Sequence, residues 1–293
     1  MYFCFIIEAQ YRYELMPVAV TRQLVAWGHT VDLLEPQTTI TCLSHLTKKT
    51  YDAYVLKTVS DGPGLSLLEA AEAVGIPTIN HSRSIRLVRD KAVATAYAHA
   101  HGLPIPLTYF AVHPELLKQI PKENYPLVVK PTNGSSCRDI YRVDSPADLA
   151  KLQILETNAR FFLAQQYIEN RGFDIKMYVA GTGVFAVAKR SPLHPEVRVE
   201  KRLIPITVEL RNLALLVGRV FGLDIYGLDV VETREGPMVV DINDFPSFGQ
   251  VPHAVSLVSS EIVQIASRKI SRLNGLTSET SSGEISEAAV PLS

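Results

Sequence analysis

The chain of 293 residues is 47% hydrophobic and 20% charged, long enough for one large core or two to three small domains. Its formal net charge of -1 excludes the basic field that holds nucleic acid, so any phosphate binding has to come from local clusters. Three cysteines, Cys4, Cys42 and Cys137, form no CxxC pair, which argues against a disulfide scaffold or a zinc knuckle and for a reducing cytoplasm.

The opening MYFCFIIEAQYRYE is apolar for about seven residues and lacks a basic flank. It reads as a buried strand, Tyr2 to Ile7, and not as a signal peptide or a membrane span. A helix is predicted from about Leu15 to Trp27, stopped by Gly28. Strands follow at His29–Leu34 and Tyr51–Lys57, and a helix at Leu65–Val74. Short apolar strands alternating with helices imply a parallel α/β sheet. No GxGxxG follows the first strand, so a dinucleotide fingerprint is absent.

A second region opens with a helix over about Ser84–His101. Leu103-Pro104-Ile105-Pro106 is extended, because residues before proline are pushed out of the helical region. Strands are predicted at Leu127–Pro131, Asp139–Val143 and Phe161–Ile168, with a helix at Pro146–Glu156 behind a Ser145 cap. The third region has strands at Phe173–Val179, Val184–Lys189, Tyr226–Glu232 and Pro237–Ile242, and helices at Val208–Phe221 and His253–Arg272. The pattern divides the chain into 1–82, 83–168 and 169–273. The Ser-, Thr- and Glu-rich tail, 274–293, is expected to be disordered.

The sharpest constellation lies near the end. Asp229 and Asp241 flank a turn at Arg234-Glu235-Gly236-Pro237, and pairing about that turn sets them nearly opposite each other. Strand side chains alternate, so Asp241 and Asn243 share a face. Like charges facing across a sheet repel, and a divalent cation would reverse that sign. The same pattern also suits two solvated acids on an exposed hairpin. Lys130 ends an apolar strand before the Asn133-Gly134-Ser135-Ser136 turn, a point charge and a run of N–H groups suited to phosphate, or simply a hairpin tip. Lys91 opens a helix. Gln165-Gln166-Tyr167-Ile168 offers amide and backbone groups beside an aromatic ring, suited to an adenine edge or to an ordinary edge strand. Asp174 could accept from ribose hydroxyls. Lys189-Arg190 ends another apolar strand, and the planar fork of Arg190 makes the better phosphate clamp.

In this order the residues resemble the ATP-grasp superfamily over roughly residues 80 to 270. The resemblance is carried by Lys91, Val129-Lys130-Pro131, the Gly134-Ser135 loop, the Gln-Gln-Tyr-Ile hinge, Asp174-Ile-Lys176, Lys189-Arg190, Leu228-Asp229 and Asp241-Ile-Asn243. The fold implied is α/β with α+β lobes: an N-terminal parallel α/β domain, then a two-lobed ATP-grasp fold. Within the superfamily the chain looks most like the ribosomal-protein S6 glutamate ligase (RimK-like) branch of carboxylate–amine ligases.

That resemblance implies a cytoplasmic ATP-dependent enzyme needing Mg2+ or Mn2+, acting on small-molecule or peptide carboxylates and amines. It implies neither nucleic acid nor membrane as partner, and it allows a homo-oligomer. Lys91, Lys130 and Lys189 with the Gly134-Ser135 loop would hold ATP phosphates, and Gln165 to Ile168 would frame adenine. Asp174 would meet ribose, Asp229, Asp241 and Asn243 would hold metal, and Arg190 would face the acyl phosphate beside a catalytic Lys130. Two positions depart from the branch: Gln166 and Asp241 stand where it has Glu. The stretches Lys189-Arg190-Ser-Pro-Leu and Asp241-Ile-Asn-Asp-Phe-Pro246 also resemble inositol polyphosphate kinases of the same fold, which makes a small-molecule kinase the rival reading.

Overall fold

A computed structural model describes residues 1–47, 51–57, 62–132, 140–149, 161–170 and 172–281. In the first region β1 (Tyr2–Ile7), α1 (Leu15–Ala26), β2 (Thr30–Leu34), β3 (Ala53–Lys57) and α2 (Gly64–Ala73) follow in the expected order, and a short strand that was not expected, β4 (Thr78–Ile79), closes it. The strands form a parallel sheet in the order β2-β1-β3-β4. All of β3, and all of β1 after Tyr2, is buried, as befits parallel strands covered on both faces. One face packs with α1 through Met16, Val20 and Leu24, the other with α2 through Leu65 and Leu68.

The helix expected over Ser84–His101 is two helices, α3 (Ser82–Arg89) and α4 (Lys91–Ala100). The break is local chemistry. Asp90 leaves the helical region, and its carboxylate accepts from the N–H groups of Ala92 and Val93, so it caps a new helix whose first residue is Lys91. Next come β5 (Thr108–Ala111), β6 (Leu127–Pro131), β7 (Tyr141–Val143), α5 (Pro146–Leu149) and β8 (Phe162–Gln166). They build an antiparallel sheet, β5-β8-β6-β7, over a small core of Leu117, Leu127, Val129, Val143 and Phe162. Ser145 hydrogen-bonds the Asp148 carboxylate at 2.7 Å. The Asn133–Ser136 turn, with Gly134 and Ser135, lies outside the described residues, as does the predicted helix beyond Leu149.

The third sheet holds β9 (Phe173–Ala180), β10 (Gly183–Arg190), β11 (Arg202–Ile204), β12 (Ile225–Thr233) and β13 (Gly236–Asn243), antiparallel in the order β11-β10-β9-β12-β13. Between β11 and β12 runs α6 (Val208–Phe221), capped by the Thr207 hydroxyl on the Leu210 N–H and closed by Gly222 at φ +67°. Its buried Leu210, Leu213, Ala214, Val217 and Phe221 pack with Ile175, Met177 and Val179 of β9. Because side chains alternate along a strand, this burial turns Asp174, Lys176 and Tyr178 to the opposite face. The last helix, α7 (Ala254–Ser281), runs past its expected end near Arg272, so residues 274–281 of the predicted tail are helical. Ser and Thr lower helix propensity without ending a helix, Glu favours it, and no proline intervenes before Pro291. Among the described residues no helix is long and apolar enough to cross a membrane.

One side chain ties the first sheet to the third. Asn80, fully buried just after β4, donates to the carbonyls of Ile225 and Asp244 at 2.6 Å each. Its oxygen accepts from the N–H groups of Asp224 and Ile225 at 2.9 Å. The start of β12 and the residue after β13 are thereby held against the parallel sheet, with every hydrogen-bonding site of the amide used.

Candidate active site

The β12–β13 hairpin pairs Asp229 directly with Asp241 and Gly227 with Asn243, with a register shift between Asp229 and Val230. On the other side of β12, Asp229 is paired with Lys176 of β9. Four lysines surround this acidic pair. Lys176 Nζ donates to Asp229 Oδ2 at 2.9 Å, and Lys189 Nζ of β10 lies 2.7 Å from Oδ1. Lys91 Nζ, from the first turn of α4, lies 3.2 Å from Asp241 Oδ1. Lys130 Nζ, from the end of β6, donates to the Val240 carbonyl at 2.9 Å. Four strands of the third region and two elements of the second thus converge on one patch.

Electrostatics follow from that crowding. Burial pushes the Asp229 carboxyl up, but Lys176 and Lys189 outweigh it and hold the group well below the usual carboxylate range. Asp241 is lowered too, with burial opposed by Lys91 and then Lys130. Asp174 goes the other way: burial raises it further than Lys189 and the Ser191 hydroxyl lower it. Asp174 also accepts from the Asn170 amide at 3.0 Å.

A cavity passes through this cluster, lined by Lys91, Lys130, Lys176, Lys189, Asp229, Asp241 and Asn243. It is flanked by a slot between the second and third sheets. Gln165, Gln166, Tyr167, Ile168 and Asp174 line the slot, opposite Val231 and Val240. Gln165 is buried and its amide reaches the Thr108 hydroxyl at 3.2 Å. Tyr167 is fixed by its hydroxyl to His194 Nε2 at 2.8 Å and by the Arg142 guanidinium 4.2 Å above its ring. Of the residues singled out from sequence and described here, all but Arg190 line the cavity or the slot.

Arg190 corrects an expectation. On β10 Lys189 points to Asp229, so strand alternation sends Arg190 the other way. Its side chain is exposed and donates to the Pro195 carbonyl at 3.3 Å. Replacing Arg190 with Ala is expected to keep turnover and KM for ATP within about threefold, as for other surface changes. A steady-state ATP titration checks this.

Other wall residues escaped the sequence reading. Lys176 stands in the Asp174-Ile-Lys176 motif, but the sequence assigns it no role in the site. Tyr11, Glu14, Lys57 and Arg89 line the far end of the cavity together with Asp244 to Ser247. Lys57 ends an apolar strand as Lys130 does, at the carboxyl edge of a parallel sheet where ligands collect, and that signal could have marked it.

The oxygen donors suit a hard cation. Among the described residues no three His, Cys, Asp or Glu side chains group as a metal site. What the cavity offers is two facing carboxylates and the Asn243 amide, which fits Mg2+, an ion bound by one or two carboxylates and completed by phosphate and water.

Known proteins resemble this chain in sequence and in fold. A "Probable alpha-L-glutamate ligase" of Legionella pneumophila (strain Corby) is 26% identical over 217 residues, 70% of this chain and 72% of its own length. The crystal structure of a RimK domain ATP-grasp protein from Sphaerobacter thermophilus superposes with a TM-score of 0.68 at 20% identity, over 89% of this chain and 99% of that one. D-alanine–D-alanine ligase from Bacillus anthracis has the same fold, with a TM-score of 0.68 at 15% identity over 94% and 99% of the two chains. The RimK-like ATP-grasp domain matches residues 88–263, which hold both the slot and the lysine–aspartate cluster, and the chain belongs to that family of ATP-dependent ligases.

Proposed function

We propose that the protein joins a carboxylate to an amine, forming ADP and phosphate through an acyl-phosphate intermediate. The observation that carries this reading is the facing pair Asp229 and Asp241, ringed by Lys91, Lys130, Lys176 and Lys189 at the mouth of an apolar slot. Four cations against two carboxylates leave positive charge for a triphosphate. In this reading adenine lies in the slot against Gln165, Gln166, Tyr167 and Ile168, and Asp174 accepts from ribose. Lys91, Lys130 and Lys189 bind phosphate oxygens, and Gly134 and Ser135 would add to that phosphate site.

Asp229, Asp241 and Asn243 would hold Mg2+ or Mn2+. That ion supplies charge neutralisation at the β- and γ-phosphates. A substrate carboxylate oxygen attacks the γ-phosphorus and ADP leaves, with Lys130 and Lys189 stabilising the transferring group. The amine then attacks the acyl carbon, an amide bond forms, inorganic phosphate leaves, and the amine proton passes to solvent. Little covalent work falls to the protein. It positions the reactants and keeps water from a labile intermediate.

The test is ADP release measured with γ-labelled ATP and a panel of acids and amines, small molecules and peptides alike. The expected result is turnover that needs both partners, with the label recovered as inorganic phosphate. ADP formed with a polyol alone, the label retained on the product, would identify a kinase and overturn the ligase.

A further inference from the structure

Three parts of the chain meet on the ring of Tyr167 beside the slot. The residue belongs to the second sheet: it follows β8, and its N–H donates to the Pro126 carbonyl, just before β6, at 2.8 Å. The Arg142 guanidinium of β7 lies 4.2 Å from the ring centroid and is itself held by Asp144 at 2.8 Å. The hydroxyl leaves that sheet and meets His194 Nε2 at 2.8 Å, in the turn that follows β10 of the third. On its other side, His194 Nδ1 lies 3.1 Å from Glu196 Oε1. An ionised carboxylate only accepts, so Nδ1 carries the proton and Nε2 accepts from the tyrosine. Burial raises the Tyr167 pKa above that of an ordinary phenol, against the pull of Arg142, which keeps the hydroxyl a donor.

The turn itself is part of the slot. Ser191, Pro192 and Leu193 line it together with Tyr167 and Ile168. Both ends of the turn are seated without His194. The Ser191 N–H donates to the Gly172 carbonyl at 3.1 Å. Val197 packs on Gly172, where a Cβ would come within 2.8 Å of it and where φ of +79° favours glycine. Between those ends the backbone makes two successive tight turns, His194 N–H to the Ser191 carbonyl at 3.2 Å and Val197 N–H to the His194 carbonyl at 3.1 Å. His194 sits where the two turns join, so its side chain ties the middle of the segment to the second sheet.

That tie does more than close a loop. Tyr167 and the turn come from different sheets, so the bond between them sets how closely two walls of the slot approach a flat ring placed there. A single half-exposed hydrogen bond adds little to folding, but it fixes the rotamers of both side chains and the place of Leu193 beside them. We propose that His194 is a positioning residue for nucleotide binding: it fastens the Ser191–Val197 turn to Tyr167 and so holds that wall of the base slot in place. Glu196 selects the imidazole tautomer that can accept. The proposal rests on the nucleotide base lying in this slot. Its effect is on nucleotide affinity, since His194 stands outside the wall of the cavity around the lysine–aspartate cluster.

Calorimetric titration of the full chain with Mg·ADP tests it. His194→Ala and Tyr167→Phe are each expected to weaken binding about three- to tenfold, the loss of one oriented hydrogen bond. The double variant should bind no more weakly than the weaker single one, because both changes remove the same bond. His194→Gln places an amide oxygen where Nε2 stood and should return affinity to within about twofold of the wild type. Thermal melts of all four variants should stay within about 4 °C of the wild type. Unchanged affinity in His194→Ala, additive losses in the double variant, or no recovery in His194→Gln overturns the proposal and leaves the nucleotide site standing. A large fall in melting temperature alongside the lost affinity would mark His194 as a structural residue and overturns it as well. Wild-type protein that does not bind Mg·ADP would instead strike the nucleotide reading beneath it.

Discussion

Asp241→Asn is expected to cut ADP release by at least about 100-fold while barely moving the melting temperature. The reason is position. Asp241 faces Asp229 across the hairpin, so its loss halves the carboxylate charge available to a divalent ion. Asparagine keeps the shape and one carbonyl oxygen, which leaves the hairpin intact. The ion pair removed, with Lys91 at 3.2 Å, is partly exposed on both sides. Such pairs contribute about 0–1 kcal/mol, so folding has little to lose. A Mg2+ titration of turnover beside a thermal melt separates the two effects. Unchanged turnover at any Mg2+ concentration would remove the cation from the reaction.

The hairpin could be read from sequence because the reading needed only local rules. The Arg234–Pro237 turn sets the register by counting, and Asp229 does fall on Asp241, although the strands slip by one residue just beyond. Lys91 was legible as a helix start, but its helix was drawn too long, because apolar spacing alone does not show that the Asp90 carboxylate will cap the next turn. Thr108–Ala111 was missed as a strand. It is short, follows a proline-rich stretch, and owes its place to pairing with β8, more than fifty residues away.

The far end of the cavity was hidden for the same reason on a larger scale. Lys57 donates to Phe245 and Asn80 to Asp244, contacts 188 and 164 residues apart in the chain. No spacing rule reaches that far. Arg190 failed by a subtler route. Lysine and arginine stood side by side at the end of a strand, and chemistry favoured the arginine. Which of two neighbours faces the site is fixed by the strand's phase, and burial of Val184 and Ala186 in the core shared with α6 sets that phase so that Lys189 faces inward.

Asp229 should behave unlike its partner across the hairpin. It is buried and ion-paired to both Lys176 and Lys189. Asp229→Asn removes a buried carboxylate that balances two partly buried ammonium groups, and the expected loss is at most about 3–5 kcal/mol of folding stability, read by urea denaturation. The pH dependence should change with it. The folded-state pKa of Asp229 is depressed, so its stabilisation is present above the unfolded carboxylate value, about 3.9, and is lost as pH falls through the folded one. Wild-type stability should therefore drop on acidification below about pH 4 more steeply than that of the variant. Adding Lys176→Met to Asp229→Asn removes one of the stranded charges, and the double variant should recover part of the loss. Strict additivity of the two substitutions would mean that the lysines do not depend on Asp229 for their burial. The acidic pair would then be held together by packing alone, and the cluster could not be described as a charge-balanced site.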